Sequence, residues 1–128
     1  MKELMKMTQV PLVADESCVS EQDVAACAGC FHGINIKLTK CSGITPALRM
    51  IHEARSLGLR VMLGSMNESS IGSAAIAHLL PLADYVDMDG PLLLAEDIGE
   101  GLLYEAGKVI IPSKPGLGVQ FTGLANNE

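Results

Sequence analysis

Short apolar runs recur along the chain, and three of them lead directly into charged residues. The run at 10–14 leads into Asp15, the run at 34–36 into Lys37, and the run at 85–86 into Asp87 and Asp89. Apolar runs of this length, bounded by polar residues, are typical of buried strands. If these strands are parallel, their charged ends lie on one edge of a sheet, where α/β proteins place their active sites.

The segments between the runs have the pattern of helices. We predict helices at 1–7, 21–28, 45–57 and 71–80, strands at 10–14, 33–37, 60–63 and 84–89, and a loop at 40–43. Ser20, with Asp23 three residues later, is a suitable cap for the second helix. Beyond Gly101 the pattern changes to a hairpin around Gly107 and an extended tail.

Four strands that alternate with helices predict parallel βα units. Two architectures fit this pattern: an open doubly wound sheet, or part of a (β/α) barrel. A complete barrel needs about 250 residues. The 128 residues of this chain would supply about half of one.

Composition narrows the classes of function. The chain is 48% hydrophobic but only 3% aromatic, so we expect a core of aliphatic side chains. Its net charge of −6 argues against a nucleic-acid partner and favours a small polar ligand or a metal cation. The sequence has no apolar stretch of about 20 residues and no signal peptide, so we expect no membrane partner and a cytoplasmic location.

Asp15 and Lys37 are candidates for chemistry. The Asp15 carboxylate is a hard oxygen ligand of the kind that Mg²⁺ prefers, although aspartate is also common in loops and caps. Lys37, at the end of an apolar strand, is placed for proton transfer. The alternative is a structural lysine whose stem packs on the core.

Two further features suggest ligand binding. Asp87 and Asp89 are two residues apart, so on a strand they share a face and would attract a metal or an ammonium group. The alternative is a solvated pair at the end of a strand. The loop at 64–70 either presents backbone N–H groups to an anion or uses its serines to cap the next helix.

The four cysteines do not indicate a metal or redox site. Cys27 and Cys30 form a C-x-x-C pair near His32, but a structural zinc site needs a second ligand pair. Redox pairs usually lie at the start of a helix, whereas this pair lies at the predicted end of one. Without an export signal we expect reduced thiols.

Five motifs together resemble the C-terminal half of dipeptide epimerases, in the muconate-lactonizing subgroup of the enolase superfamily. They are VADES at 13–17, INIKLTKCSGI at 34–44, MLGSM at 62–66, DMDGP at 87–91 and KPGLGV at 114–119. Each motif is weak alone, but their order and spacing are specific. The resemblance covers almost the whole chain.

The resemblance implies a partial (β/α) barrel. Residues 1–100 would supply its last four βα units, and 101–128 a hairpin and a tail that packs on an N-terminal capping domain. Asp15 would be one of three carboxylate ligands of Mg²⁺, and Lys37 the acid/base at the end of the sixth strand. Asp87 and Asp89 would bind the ammonium group of a dipeptide, with Ser65 and Met66 also in the substrate site.

The implied reaction is Mg²⁺-assisted 1,1-proton transfer at the α-carbon of the C-terminal residue of a dipeptide such as L-Ala-D/L-Glu. Superfamily alternatives are an N-acylamino-acid racemase, an o-succinylbenzoate synthase and a cycloisomerase. The family's other metal carboxylates and its opposite-face lysine pair would precede Met1. We therefore expect an incomplete, inactive piece of an isomerase. A non-catalytic half-barrel that self-associates as a homo-oligomer is the alternative from another class.

Overall fold

A computed structural model describes residues 1–123, which form an α/β structure. Its α-helices are α1 (Lys2–Met7), α2 (Val24–Cys27), α3 (Leu38–Cys41), α4 (Ile44–Ser56) and α5 (Ser70–Ala77). Its strands are β1 (Val13–Ala14), β2 (Gly33–Ile36), β3 (Arg60–Gly64), β4 (Tyr85–Asp87), β5 (Gly99–Glu100), β6 (Leu103–Glu105), β7 (Lys108–Ile110) and β8 (Gln120–Phe121). Short 3-10 turns cover Glu21–Asp23, Leu80–Leu82 and Gly90–Leu93.

The chain divides into two compact units. The first contains Met1–Gly64 and Leu82–Asp87, and the second contains Ser65–Pro81 and the residues from Met88 onward. The predicted boundary at residue 100 remains a prediction, and the last five residues of the predicted tail, 124–128, lie outside the described residues. Within 1–123, no helix has the length and apolar character needed to cross a membrane.

The first unit is built on a four-stranded parallel sheet with the order β1-β2-β3-β4. The register pairs Val13 with Gly33 in the first two strands and Asn35 with Met62 in the next two. Because the strands run in the same direction, their carboxyl ends meet at one edge. The predicted parallel α/β sheet is therefore present.

Helices α2 and α4 cover one face of this sheet. Alternate strand residues point to that face, and they are almost completely buried: Ala14, Ile34, Ile36, Val61 and Leu63. They pack with the apolar side of α4, formed by Ala47, Met50, Ile51 and Ala54. Burying an aliphatic side chain of this size stabilises the fold by about 1.5–3 kcal/mol. This layer is the aliphatic core that the composition predicted.

The opposite face of the sheet is more open. An open cavity of about 290 Å³ is lined there by Pro11, Val13, Met62 and Tyr85. Asn35 of β2, which pairs with Met62 of β3, lies on the same face, and it is buried although it is polar. This face therefore mixes apolar and polar side chains.

The predicted cap at Ser20 is present, at the start of the 3-10 turn Glu21–Asp23 that precedes α2. Ser20 and Asp23 form a capping box, in which the Asp23 carboxylate accepts hydrogen bonds from the Ser20 backbone and side chain, both at 2.8 Å. Gly58 follows α4 with a φ of +72°, a conformation that suits glycine at the end of a helix.

Several predicted boundaries are wrong. The strand predicted at 10–14 has only Val13 and Ala14 in the ladder, and the predicted loop at 40–43 overlaps α3. The strand predicted to reach Asp89 ends at Asp87, because Asp89 is in the right-handed helical conformation (φ −89°, ψ −5°) and precedes the 3-10 turn that contains Pro91. A chain in that conformation has left the extended ladder.

The second unit contains α5 and four short strands. β6 and β7 form the predicted antiparallel hairpin, and Ala106 and Gly107 take the positive φ values of its two-residue turn. β5 pairs with β8, so the part of the predicted tail at Gln120–Phe121 is tied to Gly99 and Glu100. Helix α5 packs on β5 and on the 3-10 turn Gly90–Leu93.

Asp97 caps α5 from a distant part of the sequence. Its carboxylate accepts the backbone N–H of Ser70 at 2.8 and 3.1 Å and that of Gly99 at 3.1 Å, whereas Ser69 makes no side-chain cap. Burial of Asp97 opposes ionisation, but the hydrogen bonds from Ser70 and Gly99 outweigh it and lower the pKa. The ionised carboxylate therefore stabilises the folded form.

Replacing Asp97 should expose this contribution. We expect Asp97→Ala to lower the free energy of unfolding by about 1 kcal/mol at neutral pH, because the first N–H groups of α5 lose their acceptor. Asp97→Asn, which keeps an acceptor oxygen, should cost less. Since the pKa is lower in the folded chain, the loss should be complete at pH 7 and should shrink below about pH 4. Urea unfolding across this pH range measures it, and a loss independent of pH would contradict it.

Candidate functional site

The carboxyl edge of the four-stranded sheet brings together the residues that the sequence singled out in the first unit. Lys37 follows β2, Asp15 follows β1, and Asp87 ends β4, where it pairs with Gly64. The parallel register alone accounts for this alignment. The sequence-based expectation that these three strand ends share one edge is confirmed, while their chemical roles remain predictions.

Lys37 continues the alternation of β2. Its backbone is extended (φ −116°, ψ 119°), so its side chain lies on the side opposite Ile34 and Ile36 rather than in the aliphatic core. The side chain is only 13% exposed, and its Nζ donates to Asp15 Oδ2 at 3.0 Å. The lysine is therefore held in place at a partly buried strand end.

Asp15 is held from both sides. Besides the bond from Lys37 to Oδ2, its Oδ1 accepts a hydrogen bond from Asn35 Nδ2 at 3.3 Å and lies 3.8 Å from Lys40 Nζ. The register that pairs Ala14 with Ile34 brings Asp15 alongside Asn35. The Asp15 side chain is 44% exposed, so solvent and ligands can reach it.

Lys40 and Glu16 extend this cluster by one ion pair. The Lys40 ammonium bonds to Glu16 Oε1, and that bond raises the pKa of Lys40, with the nearby charge of Asp15 adding to the effect. Two ammonium groups thus face two carboxylates at the edge of the sheet. Lys40 and Asn35 were not among the predicted site residues. A polar amide between two isoleucines and a second lysine three residues after Lys37 were the available signals.

The metal chemistry of this cluster is limited to one strong candidate ligand. Asp15 offers anionic oxygens of the kind that Mg²⁺ binds, and its exposure fits that use. Within the described part of the chain, however, no three His, Cys, Asp or Glu side chains are close enough together to hold a metal ion. Asp15 therefore fits a magnesium ion as one ligand among several, and its Oδ2 is now bound to Lys37.

Asp87 and Asp89 do not share a strand face as predicted, because β4 ends between them. Both side chains are exposed, and the intervening Met88 is buried. Asp87 belongs to the first compact unit and Asp89 to the second. Any joint role of Asp87 and Asp89 would therefore depend on their closeness in the sequence and not on a shared strand face.

Ser65 and Met66 lie in the second unit, just after β3. Ser65 Oγ accepts the backbone N–H of Gly90 at 3.3 Å, and Met66 is 45% exposed. A Cβ atom at Gly90 would lie 2.5 Å from the Met66 carbonyl oxygen, so this approach requires glycine. The loop at 64–70 was predicted either to bind an anion or to cap the next helix with its serines, and in the structure the Ser70 backbone N–H donates to the Asp97 carboxylate instead. No local sequence signal pointed to Asp97.

The surroundings of Cys18 and Cys27 disfavour the thiolate form. All four are free thiols, and burial raises the pKa of Cys18 to about 12 and also raises the pKa of Cys27. A thiol needs a lowered pKa to be a good nucleophile or metal ligand at neutral pH. Cys27 ends α2, which matches the predicted position of the C-x-x-C pair at the end of a helix.

The chain is similar to known proteins over nearly its full length. A family model described as enolase C-terminal domain-like matches residues 1–124. A Flavobacterium johnsoniae protein named L-Ala-D/L-amino acid epimerase is 57% identical over 118 residues, which cover 92% of this chain and 35% of that protein. The chain thus spans about a third of the length of the curated relatives that it matches.

Solved structures of similar proteins agree in fold. A substrate-liganded complex of the L-Ala-D/L-Glu epimerase from Bacillus subtilis is 33% identical, with a TM-score of 0.85, over 97% of this chain and 36% of that one. A Cytophaga hutchinsonii dipeptide epimerase complexed with Mg and the dipeptide D-Ala-L-Val is 31% identical, with a TM-score of 0.85, over 94% and 34% of the two chains.

The charged cluster should contribute little to folding. We expect Lys37→Met, which keeps the apolar stem and removes the ammonium, to change the free energy of unfolding by no more than about 1 kcal/mol, because Asp15 is half-exposed and Lys40 remains nearby. The neighbouring buried Ile36→Ala should cost about 2–5 kcal/mol. Urea unfolding of both variants tests this. A loss at Lys37 as large as at Ile36 would assign Lys37 a structural role.

Proposed function

The chain belongs to the enolase C-terminal domain-like family, and on this premise we propose that it forms the last four βα units of a (β/α) barrel. The sequential order β1-β2-β3-β4 supports this, because an open doubly wound sheet reverses its strand order at a switch point. Helices cover one face of the sheet, and the other face has an open cavity, as expected for the inner wall of a barrel.

The proposed activity is Mg²⁺-dependent epimerisation of dipeptides of the L-Ala-D/L-Glu type, by 1,1-proton transfer, in a protein that contains this chain. The single observation that carries it is the Lys37–Asp15 pair at the carboxyl edge of the sheet, in a chain 57% identical to a protein named L-Ala-D/L-amino acid epimerase. Catalytic residues of barrel enzymes lie at this edge.

The chemistry explains why a lysine and a carboxylate are needed together. A proton next to a carboxylate is very weakly acidic, so its removal requires a base at the α-carbon and stabilisation of the negative charge that develops. A bound Mg²⁺ would supply that stabilisation as a Lewis acid. Lys37 would move the proton at its Nζ, and Asp15 would be one of the oxygen ligands that hold the cation.

Lys37 alone can serve only one face of the planar intermediate. Epimerisation needs a second proton carrier on the opposite face, together with further metal ligands. Because the chain spans about a third of its relatives, we propose that these groups come from the part of the protein that the match does not include. The isolated chain should therefore be inactive.

Asp87 and Asp89 would select the substrate. Their carboxylates are exposed and two residues apart, and no ion pair to either is recorded among the described residues. An ammonium group is a suitable partner for such a pair. We propose that they bind the α-ammonium of the dipeptide, with Ser65 and Met66 also contacting the substrate. The proposed location is the cytoplasm.

The role of Lys37 can be tested in a chimera in which this chain replaces the matching segment of the F. johnsoniae epimerase. Lys37→Ala should reduce epimerisation by at least about 10²-fold, the usual contribution of general acid/base catalysis. In D₂O the variant should still exchange the α-proton of one diastereomer, because the opposite-face carrier remains. Proton NMR of each L-Ala-Glu diastereomer measures the exchange.

Two controls make the result decisive. Chelation with EDTA should stop turnover of the unmodified chimera, and Mg²⁺ should restore it. Lys40→Ala retains Lys37 and controls for the loss of one positive charge at this edge. Unchanged epimerisation in Lys37→Ala, or equal loss of exchange for both diastereomers, would contradict one-sided proton transfer by Lys37.

The aspartate pair can be tested by substrate preference. In the same chimera we expect Asp87→Asn and Asp89→Asn to raise the KM for a dipeptide at least tenfold, because each removes a charge from the ammonium site and charged hydrogen bonds contribute about 1.5–3 kcal/mol. The KM for an N-acylamino acid, which has no ammonium group, should change little. An unchanged ratio of the two KM values would reject the dipeptide assignment and favour an N-acylamino-acid racemase.

A further inference from the structure

Asn35 is an unusual residue for the centre of a buried strand. It lies in β2 between Ile34 and Ile36, and it is only 6% exposed. Asparagine is disfavoured in strands, and a buried amide is costly unless its polar atoms are hydrogen-bonded. Its Oδ1 has no hydrogen-bond partner among the described residues. An apolar side chain would suit the fold better at this position, so the amide requires another explanation.

Within the part of the chain that the structure describes, the amide has one specific polar contact, and it is to Asp15. Asn35 Nδ2 donates to Asp15 Oδ1 at 3.3 Å, on the oxygen opposite the one that Lys37 holds. The ammonium groups of Lys37 and Lys40 are at the ends of flexible stems and act as point charges. The Asn35 side chain is short and enclosed. It is therefore the most rigid of the three groups that contact the carboxylate.

Gly64 provides the space for this amide. A Cβ atom at Gly64 would lie 2.6 Å from Asn35 Oδ1 and 2.7 Å from Nδ2, closer than real Cβ atoms come to other atoms. Gly64 lies in β3 without a positive φ, so its backbone conformation does not require glycine. The requirement for glycine is therefore steric. Two residues that each weaken a strand, Asn35 and Gly64, are matched to each other across neighbouring strands.

We propose that Asn35 is a positioning residue that fixes the orientation of the Asp15 carboxylate, with Gly64 leaving the room it needs. That this orientation serves a metal ligand rests on the proposed function, but the geometric claim does not. A ligand carboxylate oriented by a hydrogen-bond donor is held in a geometry suited to its metal, and loss of such a partner typically costs about 10–100-fold in affinity or activity.

The geometric claim can be tested in the chain itself. Three-bond NMR couplings from Asp15 Cγ to its backbone nitrogen and carbonyl carbon report its χ1 angle. We expect the pattern of a single rotamer in the unmodified chain and an averaged pattern in Asn35→Ala. Asn67→Ala, an exposed asparagine of the second unit, is the matched control and should leave the couplings unchanged. A single Asp15 rotamer in Asn35→Ala would overturn the proposal.

Two further variants separate positioning from stability. Asn35→Leu is close in size to the amide side chain and has no donor, so it should also average the Asp15 couplings even if Asn35→Ala does not fold. Gly64→Ala should displace the amide and average them without changing Asn35. Adding Asn35→Ala to Gly64→Ala should restore thermal stability by removing the clash, while the Asp15 couplings remain averaged. Recovery of a single rotamer in the double variant would contradict the proposal.

The link between Asn35 and the proposed metal site is tested in the chimera. Asn35→Ala should lower kcat by about 10–100-fold and weaken the apparent affinity for Mg²⁺, while the dipeptide KM changes little. A variant with averaged Asp15 couplings but unchanged kcat and Mg²⁺ affinity would overturn the link to the metal. If Asp15→Asn itself leaves the chimera active, the proposed function fails, and the NMR result is unaffected by that failure.

Discussion

The parallel hydrogen-bonded register of β1–β4 is the constraint on which the candidate site depends. Parallel pairing places every carboxyl end at the same edge, and the pairing of Val13 with Gly33 and of Asn35 with Met62 sets which residues meet there. A slip of β2 by one residue would move Lys37 to the side of the aliphatic core and Ile36 to the open face. Because α4 packs on the aliphatic face of β2 and β3, it favours this register, and the register determines which side chains lie at the carboxyl edge.

The charged cluster at that edge should add little to the stability of the fold. Opposite charges about 4 Å apart attract by about 4 kcal/mol at an effective dielectric constant near 20. Desolvation and side-chain ordering offset most of this, so exposed pairs contribute about 0–1 kcal/mol net. Asp15 is 44% exposed while Lys37 is 13% exposed, so the pair is intermediate between buried and free. The Asp15 carboxylate is exposed enough for a ligand to reach it, and the Lys37 side chain is enclosed enough to hold a fixed position.

The sequence was most informative where structure is local and repetitive. Apolar runs located β2 and β3, the spacing of Ala47, Ile51 and Ala54 located α4, and Ser20 with Asp23 located a capping box. Helix α3 was missed because four residues are too few to show a helical period. The end of β4 was misplaced because alternation of Asp87, Met88 and Asp89 continues in the sequence after the backbone has turned.

Contacts between distant segments could not be predicted from these patterns. Asp97 caps α5 from 27 residues away, and nothing near Ser70 in the sequence requires it. Asn35 meets Asp15 across 20 residues because of the register, which the sequence alone left open. The strand-end residues Asp15, Lys37 and Asp87 were identified because their position depends only on parallel direction. Their neighbours depend on register, which is a tertiary property.

Two residues with a poor preference for strands lie close together in the first unit. Asn35 and Gly64 both disfavour a strand, yet the Asn35 amide lies against Gly64 across the two central strands of the sheet, next to the candidate metal ligand. Sequences that fold well agree with their structure at each level, and departures are expected at functional sites. The Asn35 amide oxygen is buried and has no partner within residues 1–123, which is such a departure, because replacing Asn35 and Gly64 together by apolar residues would remove both penalties. The fold alone gives no reason to retain either residue, whereas the proposed positioning of the Asp15 carboxylate would use both.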